Sequence, residues 1–396
     1  MTSEKRGVLI NNGFMALHGA ASVMIGTTLP EMIRSFGLTL SQGGLIVSAQ
    51  SSGGLVAMFA GLILADRIRK PVGILAALAL TGILLGMAGL APSYVLLVAV
   101  FLVLGIAAQI LDLLLNAHTG DIVPDGRTRS LNVLHMLYGI GAFVGPSLAR
   151  WILNQSLSWN SVYWLAGGCY LAAGLVALVR ARDYVSLVGA HGASRSTGAD
   201  SAAHPDEPQR REWGSVVLLG LVVLFYAIHQ VATTSWLPFY LQTSIGVSST
   251  AASLGLSLYW GGVIVSRYIT SRVGPRVGET RILVWGSVLG GLALAASMLV
   301  RTPFAAFLGF GLAGVLTGAT IPLAMALAYN HLPGRTGSVT AIVYGLMMAG
   351  RLVGPWWVGR TSDRFGLNVG IVITAGVLLL AATAASLVVL RDRRLH

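Results

Sequence analysis

The chain has 396 residues, of which 55% are hydrophobic and only 10% charged, with a formal net charge of +12 and a mean hydropathy of +0.76. Soluble domains carry roughly 25% charged residues, so the composition argues against a soluble enzyme. It also argues against a nucleic-acid binder, because the basic residues of a membrane protein collect in its cytoplasmic loops.

Twelve apolar stretches long enough to cross a bilayer, at about 20 residues each, are predicted as helices. They run over 8–33, 42–65, 71–91, 94–121, 128–153, 160–181, 214–242, 249–274, 280–300, 303–330, 337–361 and 367–390. Lys5 and Arg6 precede the first stretch with no small-residue cleavage site after it, so it reads as a retained span. Tight turns such as Ala91-Pro92-Ser93 separate most spans. Residues 182–213 differ, being rich in Ser, Gly, Ala, Asp, His and Pro, and read as a flexible linker. The expected organisation is a six-helix bundle over 1–181, a linker over 182–213 and a second bundle over 214–396. With the N-terminus inside, nineteen of the 26 Lys and Arg fall on the inner side and five outside. Both termini and the linker are therefore expected to be cytoplasmic, in a multi-pass protein of the cytoplasmic membrane.

The two halves repeat each other. Pro30 matches Pro238 and Gly53-Gly54 matches Gly261-Gly262, both at an offset of 208. Gly105 matches Gly314, and Gly141-x-x-x-Gly145-Pro146 matches Gly350-x-x-x-Gly354-Pro355, both at 209. A duplicated bundle of membrane helices marks a secondary transporter, whose halves rock about a site at mid-membrane.

The even number of spans, the central linker and the six-plus-six repeat resemble the major facilitator superfamily. Gly61-x-x-x-x-Asp66-Arg67-x-Arg69-Lys70, between the second and third spans, is similar to that family's loop motif, and Gly141-x-x-x-Gly145-Pro146 to its fifth-helix pattern. A second loop-like motif, Gly359-x-x-x-Asp363-Arg364-x-Gly366, lies at the opposite side of the membrane, where the family does not usually place it. Asp112-x-x-x-Asn116, Asn132-x-x-His135-x-x-Tyr138, Trp236-Leu237-Pro238-x-Tyr240 and Trp260-Gly261 with Arg267 resemble the fucose/glucose–proton symporter-like branch. Gln230 stands where members of that branch tend to carry an acid. The resemblance implies an all-α membrane protein of two pseudo-symmetric six-helix bundles, working as a monomer.

Charge inside a bilayer costs roughly 2.5 kcal/mol upward per residue, so embedded ionisable groups are functional candidates. Asp112 alone among the acids lies near the middle of a span, and Gln109 and Asn116 share its helical face. Desolvation favours the neutral form of a carboxyl, so an acid at that depth can cycle a proton; it can equally be a fixed hydrogen-bonding anchor. His135 is a second proton-handling candidate, with a satisfied interhelical bond as its alternative, and Arg351 a third, as a substrate contact or a partner of Asp112, with a gate or packing salt bridge as its alternative. Arg267 reads as a gate or packing residue, with Asp66, Arg67, Gly145, Pro146, Gly354 and Pro355. The candidates for holding a hydroxylated solute are Asn12, His18, Gln50, Gln109, Asn116, Tyr138, His229, Gln230, Trp236, Trp260 and Tyr344, each of which has packing as its alternative. Trp159 and Trp213, at span edges, read as interfacial belt residues. The one cysteine, Cys169, allows no internal disulfide, and no metal-ligand spacing or phosphate loop is present, so no cofactor is expected. The expected function is proton-coupled carriage of a small polar solute, with a sugar as the candidate cargo. An exporter of amphipathic drugs or lipids, or a non-transporting membrane sensor, are the alternatives.

Overall fold

The computed structural model describes residues 3–64, 69–123, 127–180, 207–332 and 335–392. Its first half holds α1 (Ser3–Phe36), α2 (Leu40–Leu64), α3 (Lys70–Leu90), α4 (Tyr94–Ile122), α5 (Arg127–Asn154) and α6 (Trp159–Arg180). Its second half holds α7 (Glu207–Thr243), α8 (Ser249–Val277), α9 (Glu279–Val300), α10 (Pro303–Thr317), α11 (Thr320–His331), α12 (Thr336–Phe365) and α13 (Leu367–Asp392). α10 and α11 together make the tenth span, so there are twelve. α7 begins inside the stretch expected to be linker; residues 182–206 of that stretch lie outside the described residues. Among the described residues, ten spans are long and apolar enough to cross a membrane. α2 and α8 are mates across the repeat, and both pack on the opposite half, α2 on α12 and α8 on α5.

Each half is built the same way. α1 packs on α5, α2 on α4 and α3 on α6, and correspondingly α7 on α12, α8 on α10 and α9 on α13. Apolar helices in lipid gain nothing by hiding from their solvent, so close backbone packing must hold them. Here glycines provide it. A Cβ on Gly53 would strike the carbonyl oxygen of Leu102, and one on Gly262 would stand 2.7 Å from that of Gly311. Gly105 sits in the same way on Gln50 and Gly314 on Tyr259; Gly141 on Ala16 and Gly350 on Leu224; Gly145 on Ala20 and Gly354 on Ile228. Glycine and partner are both displaced by 208 or 209 residues in every case. One expected match is off by a residue: Gly53 corresponds to Gly262, at 209. Gly262 is the glycine pressed on a backbone, whereas Gly261 faces the Phe143 ring of the other half. The prolines repeat as well. The Pro30 carbonyl accepts from Arg34 Nε (3.2 Å) and its mate Pro238 from Gln242 Nε2 (3.1 Å). The Pro146 carbonyl accepts from Thr27 Oγ1 (3.5 Å) and the Pro355 carbonyl from Trp236 Nε1 (3.0 Å).

α1 starts and α13 finishes at one end of the bundle, the terminal end; the turns after α1, α3, α5, α7, α9 and α12 form the far end. The halves are bonded together at the far end. The backbone N–H groups of Leu40 and Ser41 donate to Asp363 Oδ1 and Oδ2, both at 2.8 Å. A carboxylate from α12 thus caps the start of α2, where unpaired N–H groups and the positive end of the helix dipole favour an anion. This accounts for the motif on the unexpected side. Asp363 is there to hold the other half, and Gly359 lets α12 lie on the Leu40 carbonyl. The symmetry mate is neutral: Asn154 Nδ2 donates to Thr250 Oγ1 at 3.1 Å. Ser147 and Ser257 share a hydrogen bond (3.0 Å) two turns deeper. At the terminal end, the ion pairs Lys70–Asp121 (2.5 Å) and His331–Glu212 (2.7 Å) each stay within one half.

The glycine crossings predict a stability pattern. Gly105→Ala and Gly314→Ala should each destabilise the protein by about 1–3 kcal/mol, because the added methyl meets a rigid backbone. Gly13→Ala, where nothing lies within 4 Å of the new carbon, should be neutral or slightly stabilising. Thermal unfolding in detergent checks this, and equal melting temperatures for Gly105→Ala and wild type would contradict it.

Candidate functional site

The tenth span breaks in mid-bundle, between Thr317 and Thr320, where a continuous helix is expected from its apolar run. Pro322 is the cause. It has no N–H to offer the Gly318 carbonyl one turn back, and its ring crowds that carbonyl. Freed backbone groups at membrane depth need partners, and α8 supplies them. Arg267 Nε donates to the Gly318 carbonyl (3.4 Å), and Ser266 Oγ accepts from the Ala319 N–H (3.1 Å). Gly318 permits this approach, since a Cβ there would be 2.6 Å from Val263 Cα. One edge of the Arg267 guanidinium is therefore tied to the break, and its charge acts on His135, Tyr226 and Tyr344.

Two more charged groups converge on the same region, while the buried Arg150 pairs with Glu31 (3.3 Å) toward the far end. Asp112 of α4 is close enough to act electrostatically on His18 of α1, His135 of α5 and Tyr344 of α12. Arg351 of α12 acts on His18 as well. One acid and two bases, from both halves, thus surround one chamber. Among the described residues, none of the three forms an ion pair within 4 Å. Asn116 Nδ2 donates to the Asp112 backbone carbonyl (2.8 Å) and to its Oδ1 (3.4 Å). The buried Nε of Arg351 has no hydrogen-bond partner.

A run of rings crosses between the halves along the chamber. His18 lies 5.9 Å from Tyr138, Tyr138 6.2 Å from Trp260, and Trp260 6.3 Å from Tyr259. His18 Nδ1 shares a hydrogen bond with the Tyr170 hydroxyl (3.2 Å), and the Tyr138 hydroxyl with Ser22 (2.8 Å). Trp260 is buried, 7% exposed, and its Nε1 has no partner. His135 is exposed although it shares the inward helical face of Tyr138, three residues on. The hydrogen bonds between the halves from Asp363, Asn154 and Ser147 all lie toward the far end from this region.

Other candidates are placed elsewhere. Trp236 is fully buried and spends its N–H on the Pro355 carbonyl, packing the second half near the far end. His229 is also fully buried, against the Thr374 carbonyl (3.2 Å) and Tyr259. Gln230 donates to the Tyr226 hydroxyl (2.9 Å). Gln109 faces Gly54 of α2, inside the first half. Asn12 keeps a buried side-chain oxygen without a partner. Gln50 lines a cavity of about 20 Å³ beside His18, Thr81 and Tyr170, which has room for a single water and not for a solute. Trp159, expected in the interfacial belt, is buried with its N–H on Ser35 Oγ (3.1 Å). Asp66 and Arg67 lie outside the described residues. Ser266 and the tyrosines 170, 226 and 259 escaped the sequence reading. Pro322, four residues after Gly318, was the available signal for the break.

The sequence model of the Major Facilitator Superfamily matches residues 13–355 and 219–396. The chain is 24% identical to the uncharacterised transporter YfkL of Bacillus subtilis, over 98% of this chain and 96% of that one. It is 25% identical to the gentisate transporter of Corynebacterium glutamicum, over 96% and 86%. It is 25% identical to the fosmidomycin resistance protein of Escherichia coli over a shorter stretch, 61% and 57%. The fold resembles a bacterial homolog of the human lysosomal transporter Spinster, solved inward-facing and unoccupied. That likeness has a TM-score of 0.76 at 16% identity and covers 98% and 97% of the two chains.

The break makes a testable pair. Arg267→Met should cost about 1–3 kcal/mol of stability by leaving the Gly318 carbonyl unsatisfied. Pro322→Ala restores the in-helix donor, so Arg267→Met should cost much less in that background. A double-mutant cycle by thermal unfolding checks the coupling, and strictly additive losses would show that Arg267 does not serve the break.

Proposed function

The chain belongs to the Major Facilitator Superfamily, and from that premise we propose a proton-coupled carrier of a small polar solute, working by alternating access. The family consists of multi-pass membrane transporters, not enzymes. One observation carries the finer reading. Asp112, the single embedded acid, stands in a chamber between the halves with His18, His135 and two bases within electrostatic reach. An acid so placed can take a proton from one side and release it to the other as the halves open to one end and then to the other. His135, exposed on the chamber wall, would pass protons between Asp112 and solvent. Tyr138 and Trp260 would cover the flat face of the cargo, and Asn116, Tyr344 and Arg351 would hold its polar edge. The charge pattern of the loops supports a cytoplasmic-membrane location with both termini inside. The motif resemblance favours a sugar among polar cargoes, while the two bases favour an acid. The gentisate relative supports small-solute carriage. The relative named for fosmidomycin resistance supports the second reading, in which the same chamber exports its cargo by proton antiport.

Purified protein in liposomes tests the coupling. With an imposed proton gradient and a panel of benzoate, glucose and tetraphenylphosphonium, at least one solute should accumulate in step with proton movement. Asp112→Asn keeps the shape but cannot cycle a proton, so it should abolish accumulation and spare solute exchange. Accumulation by Asp112→Asn at the wild-type level would make Asp112 a structural anchor.

A further inference from the structure

We infer that the cargo is a small organic anion, of the aromatic carboxylate class, seated between Arg351 and the Tyr138–Trp260 pair; this rests on the carrier reading above and narrows it. The first ground is charge. The chamber holds two guanidiniums, Arg267 and Arg351, and one carboxylate, Asp112, none paired within 4 Å among the described residues. Guanidinium stays charged in proteins, so the chamber carries at least one net positive charge whether or not Asp112 holds a proton. The two histidines beside Asp112, His18 and His135, can only add to it. An uncompensated charge at membrane depth is costly, and a bound anion offsets it.

The second ground is the kind of group left without a partner. Arg351 Nε and Trp260 Nε1 are both buried, both donors and both unbonded. His18 relates the two, since it is within electrostatic reach of Arg351 and the ring run His18–Tyr138–Trp260 begins at it. A carboxylate is an acceptor only, and it meets the planar guanidinium with two parallel bonds. A sugar hydroxyl would bring a donor to each acceptor and would leave the charge standing. The third ground is shape. Tyr138 and Trp260 stand edge to face at 70° and offer an apolar corner to a flat body, whose acid group Arg351 would take. Arg267, with one edge bound to Gly318, contributes field and not the principal contact.

The experiment compares ligands of one shape and different charge on the full-length protein in detergent, by ligand-dependent thermal stabilisation and tryptophan quenching. Benzoate, 2-hydroxybenzoate and phenylacetate are set against benzamide and glucose. At least one acid should bind saturably, and benzamide should bind roughly 10- to 150-fold more weakly than benzoate, as expected for loss of a charged hydrogen bond. Arg351→Gln should erase the preference for acid over amide, and Arg351→Lys should keep part of it. Benzamide or glucose binding as tightly as benzoate, or none of the three acids binding, overturns the inference. The comparison in the wild type stands even if an Arg351 variant does not fold. Proton-coupled accumulation of glucose in liposomes would leave the carrier reading intact and remove only the anionic cargo.

Discussion

Everything else in this molecule depends on helices touching through their backbones. In lipid, side-chain burial gives helices little reason to associate, and this chain relies instead on glycines laid against carbonyl oxygens. The same four crossings hold each half, with partner as well as glycine displaced by 208 or 209 residues. These crossings pack the helices of each half closely against one another. The halves meet along α2–α12 and α5–α8. Hydrogen bonds join them there at the far end, and they too are related by the repeat. One is charged, through Asp363, and the other neutral, through Asn154. Glycine crossings meet at that joint as well, Gly359 on the Leu40 carbonyl and Gly44 on the Pro355 carbonyl.

The broken tenth span links this scaffold to the chemistry. Pro322 frees a backbone carbonyl at membrane depth, and satisfying it fixes Arg267 in the wall of the chamber. The chamber therefore acquires a positive charge as a consequence of the backbone. The first half has no such break at the corresponding place in α4, and it contributes the acid instead. The halves are alike in packing and unlike in charge. On the proposed reading, that asymmetry gives a proton and a solute different partners in one cavity.

Much of this was legible in the residues, for identifiable reasons. Glycine crossings and helix prolines are written as residue identities at fixed spacing, so the repeat could be read directly, apart from the one-residue slip at Gly261-Gly262. Asp112 stood out because an acid in an apolar run is rare. Other features depend on distant partners and left no local trace. The capping role of Asp363 requires a helix start more than 300 residues earlier in the chain, so its motif looked misplaced. Trp236 and Trp159 resembled site and belt residues, and only their bonds to the Pro355 carbonyl and to Ser35 reveal them as packing. The break in the tenth span is local and was readable from Pro322, but the apolar run concealed it.

The central claim is that two rigid halves rock about a charged chamber, closing one end as the other opens. Paired spin labels test it most directly, after replacement of the exposed Cys169. One pair, at Gln155 and Thr243, reports the far end; another, at Glu4 and Ser338, reports the terminal end. In liposomes, lowering the pH and adding a transported solute should lengthen the first distance and shorten the second, with each distance within a half unchanged. Distances at both ends that stay fixed under every condition, or that change together in the same direction, would contradict the account.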